Sequence, residues 1–216
     1  MAKVGFTNIK GPAQMIVFDE KNLVIFSVPK TGTTSIENAI GGKASLVVRR
    51  PPTMKHMPVG NYKRFFRPMD QEFGRDPEFM AVIRHPIDWL GSWYRYRFRD
   101  ELIGQANSTR PHSFDDFVRE YCKPDPTPFA NVGSQFRFVM IRQHTKIGVD
   151  HLFRYEAQEA IRGFLVDRLG FNFTLPRLNV SERIPLTLSS PVEAQLHETK
   201  ADEFWIWEQA RTTAQP

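Results

Sequence analysis

Residues 24–40, VIFSVPKTGTTSIENAI, constrain the fold more than any other stretch of this 216-residue chain. An apolar run (Val24, Ile25, Phe26, Val28) breaks at Pro29. Six small or cationic residues follow, Lys30-Thr31-Gly32-Thr33-Thr34-Ser35, and then Ile36 and Ile40 sit one helical turn apart. The pattern predicts a buried strand, a tight loop and a helix N-terminus. In that geometry successive backbone N–H groups point into one concavity, and the helix dipole adds partial positive charge. Gly32 lets the backbone approach an anion closely, the Thr and Ser hydroxyls can donate to its oxygens, and Lys30 adds a full charge. Such a loop suits a phosphate or a chemically similar anion.

A Walker A loop requires Lys directly after its last Gly. Here Lys30 precedes the only Gly by two residues and follows Pro29. That order, P-K-[ST]-G-[ST]-[ST], resembles the 5′-phosphosulfate loop of sulfotransferases that use 3′-phosphoadenosine 5′-phosphosulfate (PAPS). A second motif lies in FMAVIRHPIDWLGSWYRYRFR, where Arg84 leaves an apolar strand and Ser92 lies two turns into the next helix. Arg-x-Pro with Ser eight residues after the Arg resembles the 3′-phosphate motif of the same family, and the two motifs come in the family's order. Phe153-Arg154-Tyr155-Glu156 is similar to the family's strand-end R-Y-E segment. Asn179-Val180-Ser181 before a capped C-terminal helix is similar to its closing region. The late R-K-G triplet of the cytosolic eukaryotic branch is absent from the sequence, and Arg183 is the substitute considered.

The resemblance implies a single domain over residues 1–216, a P-loop-like three-layer α/β/α fold with a mostly parallel sheet, and a soluble enzyme of bacterial type. It implies that Lys30, Thr31, Gly32, Thr33, Thr34 and Ser35 bind the 5′-phosphosulfate, with backbone N–H groups of Gly32 to Ser35 as donors. Arg84 and Ser92, with Arg183, bind the 3′-phosphate. Lys30 is also catalytic, neutralising charge on the bridging oxygen. His56 is the first choice of general base and Glu156 the alternative. No metal is required, and the product is 3′-phosphoadenosine 5′-phosphate (PAP). The acceptor stays open among saccharides, lipids, small alcohols or phenols and peptide tyrosine, with a saccharide or small metabolite favoured.

The rest of the chain reads as alternating strands and helices. Residues 15–18 and 23–28 form a hairpin, and the first helix ends near Gly41-Gly42. Residues 44–48 and 79–83 are strands, and 53–76 is a polar, basic connection. Pro86 opens a helix running to about residue 103. Residues 112–122 are helical with Ser113 as N-cap, and 123–134 form a loop. Residues 136–141 fit either helix or strand; 151–155 is a strand and 156–169 a helix. A capping box at Ser190-Pro191-Val192-Glu193 opens one C-terminal helix. The crowded aromatic residues Trp89, Trp93, Tyr94 and Tyr96 read mainly as packing, with adenine stacking by one of them left open.

Charge supports an anionic ligand. The net charge is +5, yet Lys43 to Arg99 holds twelve Lys/Arg against five Asp/Glu, so the remainder is at −2. The excess sits around and between the two motifs. No apolar run approaches the ~18 residues of a membrane span, and the N-terminal residues lack a signal peptide's apolar core. The single cysteine, Cys122, fits a reducing cytosol and reads as a buried filler. Two rivals are a P-loop phosphotransferase and a non-catalytic polyanion-binding module. The first lacks the Gly-Lys-[ST] ending, and the second leaves the paired motifs unexplained. No nucleic-acid-binding signature appears.

Overall fold

The computed structural model describes residues 15–72, 74–176 and 184–214. Strands β1 (Met15–Phe18) and β2 (Leu23–Phe26) form an antiparallel hairpin with Ile16 opposite Ile25. Asn22 closes its turn in the left-handed region at φ 50°, which Asn tolerates better than most side chains. After the loop, α1 (Thr33–Ile40) leads to β3 (Leu46–Val48), which pairs antiparallel with β1. Residues 53–76, expected as an open connection, fold instead into three short helices: α2 (Pro52–Lys55), α3 (Val59–Phe65) and α4 (Arg67–Glu72). The reason is amphipathic spacing too short to read alone. Val59 and Tyr62 are buried a turn apart, while the Lys63 and Arg64 that follow make the stretch look wholly polar.

Strand β4 (Glu78–Ile83) runs parallel to β2, and α5 (Pro86–Arg97) follows with Pro86 at its start and Asp88 in its first turn. That helix stops short of the expected residue 103. Capping box Ser113–Asp116 opens α6 (Phe114–Tyr121). The ambiguous stretch near residue 136 divides into α7 (Gln135–Val139) and β5 (Met140–Ile141), which pairs with β6 (Lys146–Ile147). Then β7 (His151–Arg154) joins β4 in parallel, and α8 (Gln158–Leu169) ends at Gly170 with φ 79°. The C-terminal helix is two helices, α9 (Ser190–Thr199) and α10 (Ala201–Gln209), broken at Lys200. The expected capping box is absent: Ser189 occupies the cap position, and its hydroxyl donates to Asp115 on α6 at 2.5 Å.

The main sheet has the order β3-β1-β2-β4-β7. It is mixed: β1 is antiparallel to both its neighbours, while β3, β2, β4 and β7 run the same way. Both faces are buried, which explains the continuous apolar runs of β2 and β4. Val24, Phe26, Phe79, Ala81 and Ile83 face Val59 and Tyr62 of α3, Phe138 and Val139 of α7 and Ile206 of α10. Leu23, Ile25, Met80 and Val82 face Ile36 and Ile40 of α1 and Ile161 and Leu165 of α8. Each fully buried side chain of this size contributes about 1.5–3 kcal/mol. A third cluster joins Trp89 and Leu90 of α5 to Phe117 and Val118 of α6, Val192 and Leu196 of α9 and Phe204 of α10; buried Cys122 belongs to it. Among the described residues no helix is long and apolar enough to cross a membrane.

Candidate functional site

The carboxyl ends of β2, β4 and β7 lie side by side, because all three run parallel in adjacent positions. Ligands in such sheets collect at that edge. Here it presents the Lys30 loop after β2, Arg84 after β4, and Tyr155-Glu156 after β7.

The loop is held from four sides. Thr31 is buried and its hydroxyl donates to the Val28 carbonyl at 2.9 Å. The indole N–H of buried Trp89 donates to the Pro29 carbonyl at 2.9 Å, so this tryptophan orients the loop as well as packing. A ring nitrogen of His56, Nδ1, lies 2.7 Å from the Ser27 carbonyl. Finally, a Cβ on Gly32 would come within 2.8 Å of the Tyr155 ring. With φ at +76°, Gly32 is required both by its backbone conformation and by that approach. Lys30 also lies in the left-handed region, at φ 68°, a conformation that costs a non-glycine residue roughly 1–2 kcal/mol. Strain of this kind gathers at ligand-binding loops.

Not every expected anion donor is available. The Ser35 N–H donates to the Gly32 carbonyl at 2.9 Å, and its hydroxyl donates to the Pro176 carbonyl. Ser35 thus serves the first turn of α1 and the docking of residue 176, a correction to its expected role. The N–H groups of Gly32 and Thr33 donate to no backbone carbonyl among the described residues. Thr33 is buried and Thr34 half-buried at the start of α1.

The electrostatics are one-sided. Burial, with the charges of Arg99 and Arg84 beside it, pushes the Lys30 ammonium down to about 8. Its Nζ lies 4.3 Å from the centre of the Tyr96 ring and 5.8 Å from that of Trp93, so aromatic faces shelter it in place of carboxylates. Arg99 stacks on the same Tyr96 ring at 4.7 Å. Arg84 lies over Tyr155 at 4.8 Å, and its buried Nε has no hydrogen-bond partner among the described residues. Lys30, Arg84 and Arg99 make no salt bridge among the described residues. Ser92 is half-buried on α5, and its hydroxyl makes no hydrogen bond among the described residues. Arg183 and Asn179-Val180-Ser181 lie outside the described residues.

His56 and Glu156 differ sharply as candidate bases. A carbonyl can only accept, so His56 Nδ1 carries the proton it gives to Ser27, and neutral His56 keeps its lone pair on Nε2. Burial, reinforced by Lys55 and opposed by the Ser27 bond, holds its pKa below the usual histidine value. Both Glu156 oxygens are occupied, by the His85 N–H at 2.9 Å and the Trp207 indole N–H at 3.2 Å. Glu156 orients the strand end. His85 packs edge-on against Trp207 and Phe204, as a structural residue does.

Three contacts were not expected from the sequence: Tyr155, quoted there only as part of the R-Y-E segment, against Gly32; Gln135 behind Arg84; and Arg99 beside Lys30. The first two are contacts between residues distant in sequence, with no local signal. Arg99 was visible only as part of the basic excess. Comparison of the chain with protein-family models, curated proteins and solved structures finds no match.

Proposed function

We propose that this protein is a sulfotransferase, moving the sulfuryl group of PAPS to an acceptor hydroxyl on a P-loop-like, three-layer α/β/α domain. The reading extends to a soluble cytoplasmic enzyme whose acceptor is a saccharide or small metabolite. What carries it is one juxtaposition. The loop bearing desolvated Lys30, which has no salt bridge among the described residues, also fixes His56 as a Nε2 base, and Arg84 stands on the same edge with a guanidinium nitrogen that has no partner among those residues. The residues fit the donor's chemistry: a glycine loop for its 5′ end, a second cation for its 3′-phosphate, and no carboxylate paired to either cation.

In the proposed reaction His56 Nε2 takes the acceptor's hydroxyl proton as its oxygen bonds to sulfur. The bond between sulfur and the bridging phosphate oxygen breaks, and the charge left on that oxygen is met by Lys30. PAP leaves as the product. As in phosphoryl transfer, positioning and charge stabilisation supply the rate. The N–H groups of Gly32 and Thr33 and the hydroxyls of Thr33 and Thr34 support the 5′-phosphate. Arg84, with Ser92, holds the 3′-phosphate bidentately.

Thermal stabilisation tests the reading. PAP is expected to raise the melting temperature more than ATP with Mg²⁺ does. A preference for ATP with Mg²⁺ would favour phosphoryl transfer, and no response to either would favour a polyanion-binding module. Transfer of label from PAPS across an acceptor panel then identifies the substrate.

A further inference from the structure

Arg84 leaves β4 at a turn held by side chains. Gln135, fully buried on α7, exchanges two hydrogen bonds with the Arg84 backbone: its Oε1 accepts from the Arg84 N–H at 2.9 Å, and its Nε2 donates to the Arg84 carbonyl at 2.8 Å. The next residue, His85, gives its N–H to Glu156. Both holders lead back to α10. Glu203, buried at 2% exposure, accepts the Phe136 N–H at 3.3 Å and so pins the start of α7 beside Gln135. Trp207 donates to Glu156. Glu203 and Trp207 are four residues apart, so one face of α10 supports both clamps.

We propose that Gln135 is a positioning residue: its amide sets where the Arg84 guanidinium stands on the sheet edge, and α10, through Glu203, sets the amide. A buried amide side chain destabilises the fold unless its groups are paired. Here both pairs go to one residue, whose own side chain has a buried nitrogen without a partner among the described residues. Packing alone would be served as well by an apolar side chain. The inference rests on the proposed contact of Arg84 with the 3′-phosphate.

The test compares PAP with adenosine 5′-phosphate, which lacks the 3′-phosphate, by calorimetry on the wild-type chain, Gln135→Met, Arg84→Ala and the double variant. Gln135→Met is expected to weaken PAP binding about tenfold and leave adenosine 5′-phosphate unchanged, with the double variant no weaker than Arg84→Ala alone. Unchanged PAP affinity, an equal loss for both ligands, or additive losses would overturn the inference. If Gln135→Met does not fold, Gln135→Asn, which keeps an amide too short to bridge, carries the same expectation. A wild-type chain that binds PAP no better than adenosine 5′-phosphate sinks the donor reading and this inference with it. A wild-type preference untouched by either Gln135 change sinks only the inference.

Discussion

Two arginines stand at the ends of neighbouring parallel strands, and the chain spends them differently. Arg154 closes β7 opposite Ile83, the last residue of the neighbouring β4, and Arg84 follows directly after it. Arg154 donates to the Trp207 carbonyl at 3.0 Å and the Glu208 carbonyl at 3.1 Å, and it stacks on the Trp207 ring at 3.9 Å. Through Nε and Nη2 its guanidinium ties the end of α10 to the sheet. Arg84 is steadied through its backbone, while its side chain lies over Tyr155 with Nε unpartnered among the described residues. Stability explains the first arrangement completely. The second leaves a buried nitrogen without a hydrogen-bond partner among the described residues, where the proposed 3′-phosphate contact would fall.

Lys30→Ala gives the largest expected effect and asks whether unpaired rim cations serve function. Turnover is expected to fall at least ~100-fold, the scale of losing one charge-stabilising donor. The melting temperature at pH 7 should stay level or rise. Because the ammonium is held below its ordinary value, the native chain holds its proton less tightly than the unfolded one, so the charge opposes folding below about 8. A large drop in melting temperature would make Lys30 structural. Next, Arg84→Ala should weaken PAP by about 10–100-fold with the fold intact, measured by calorimetry and a thermal melt. Arg154→Ala should do the reverse, costing about 2 kcal/mol in denaturant unfolding while the folded molecules keep their PAP affinity. Swapped outcomes would erase the distinction.

The smallest expected effect concerns Glu203. Burial, only partly offset by the hydrogen bonds it accepts, pushes its carboxyl up to about 7. The native chain therefore keeps a proton that the unfolded chain releases in the usual carboxylate range. Stability falls as pH rises from there to about 7, then levels off. Glu203→Gln should remove that fall, so its stability relative to wild type should rise by roughly 2 kcal/mol between pH 5 and pH 8; any cost of the neutral amide's weaker hold on α7 is the same at both and cancels. Parallel unfolding curves at the two pH values check it.

What could be read from the sequence was local. The β2–loop–α1 unit announced itself because a continuous apolar run, a glycine and a helical repeat adjoin. Pro86 and Ser113 marked helix starts by their own backbone chemistry. Misreadings came where a distant partner decides. Ser189 caps toward Asp115 in place of its own helix, α3 looks polar until Tyr62 meets Phe26 and Phe79, and the Ser35 hydroxyl turns to the Pro176 carbonyl. At the site, residue types were legible in Lys30, Arg84 and His56, but their supports were not. Nothing near Gln135 or Tyr155 in the sequence signals that one clamps Arg84 and the other lies on Gly32.

The crowd of positive groups around Lys30 has a practical corollary. A surface that gathers like charges without counter-ions will scavenge whatever oxyanion the solvent offers. Phosphate or sulfate buffer would then compete with the proposed PAP contact, so assays and melts run in such buffers would understate any response to PAP, and a chloride or organic buffer is the fair starting point.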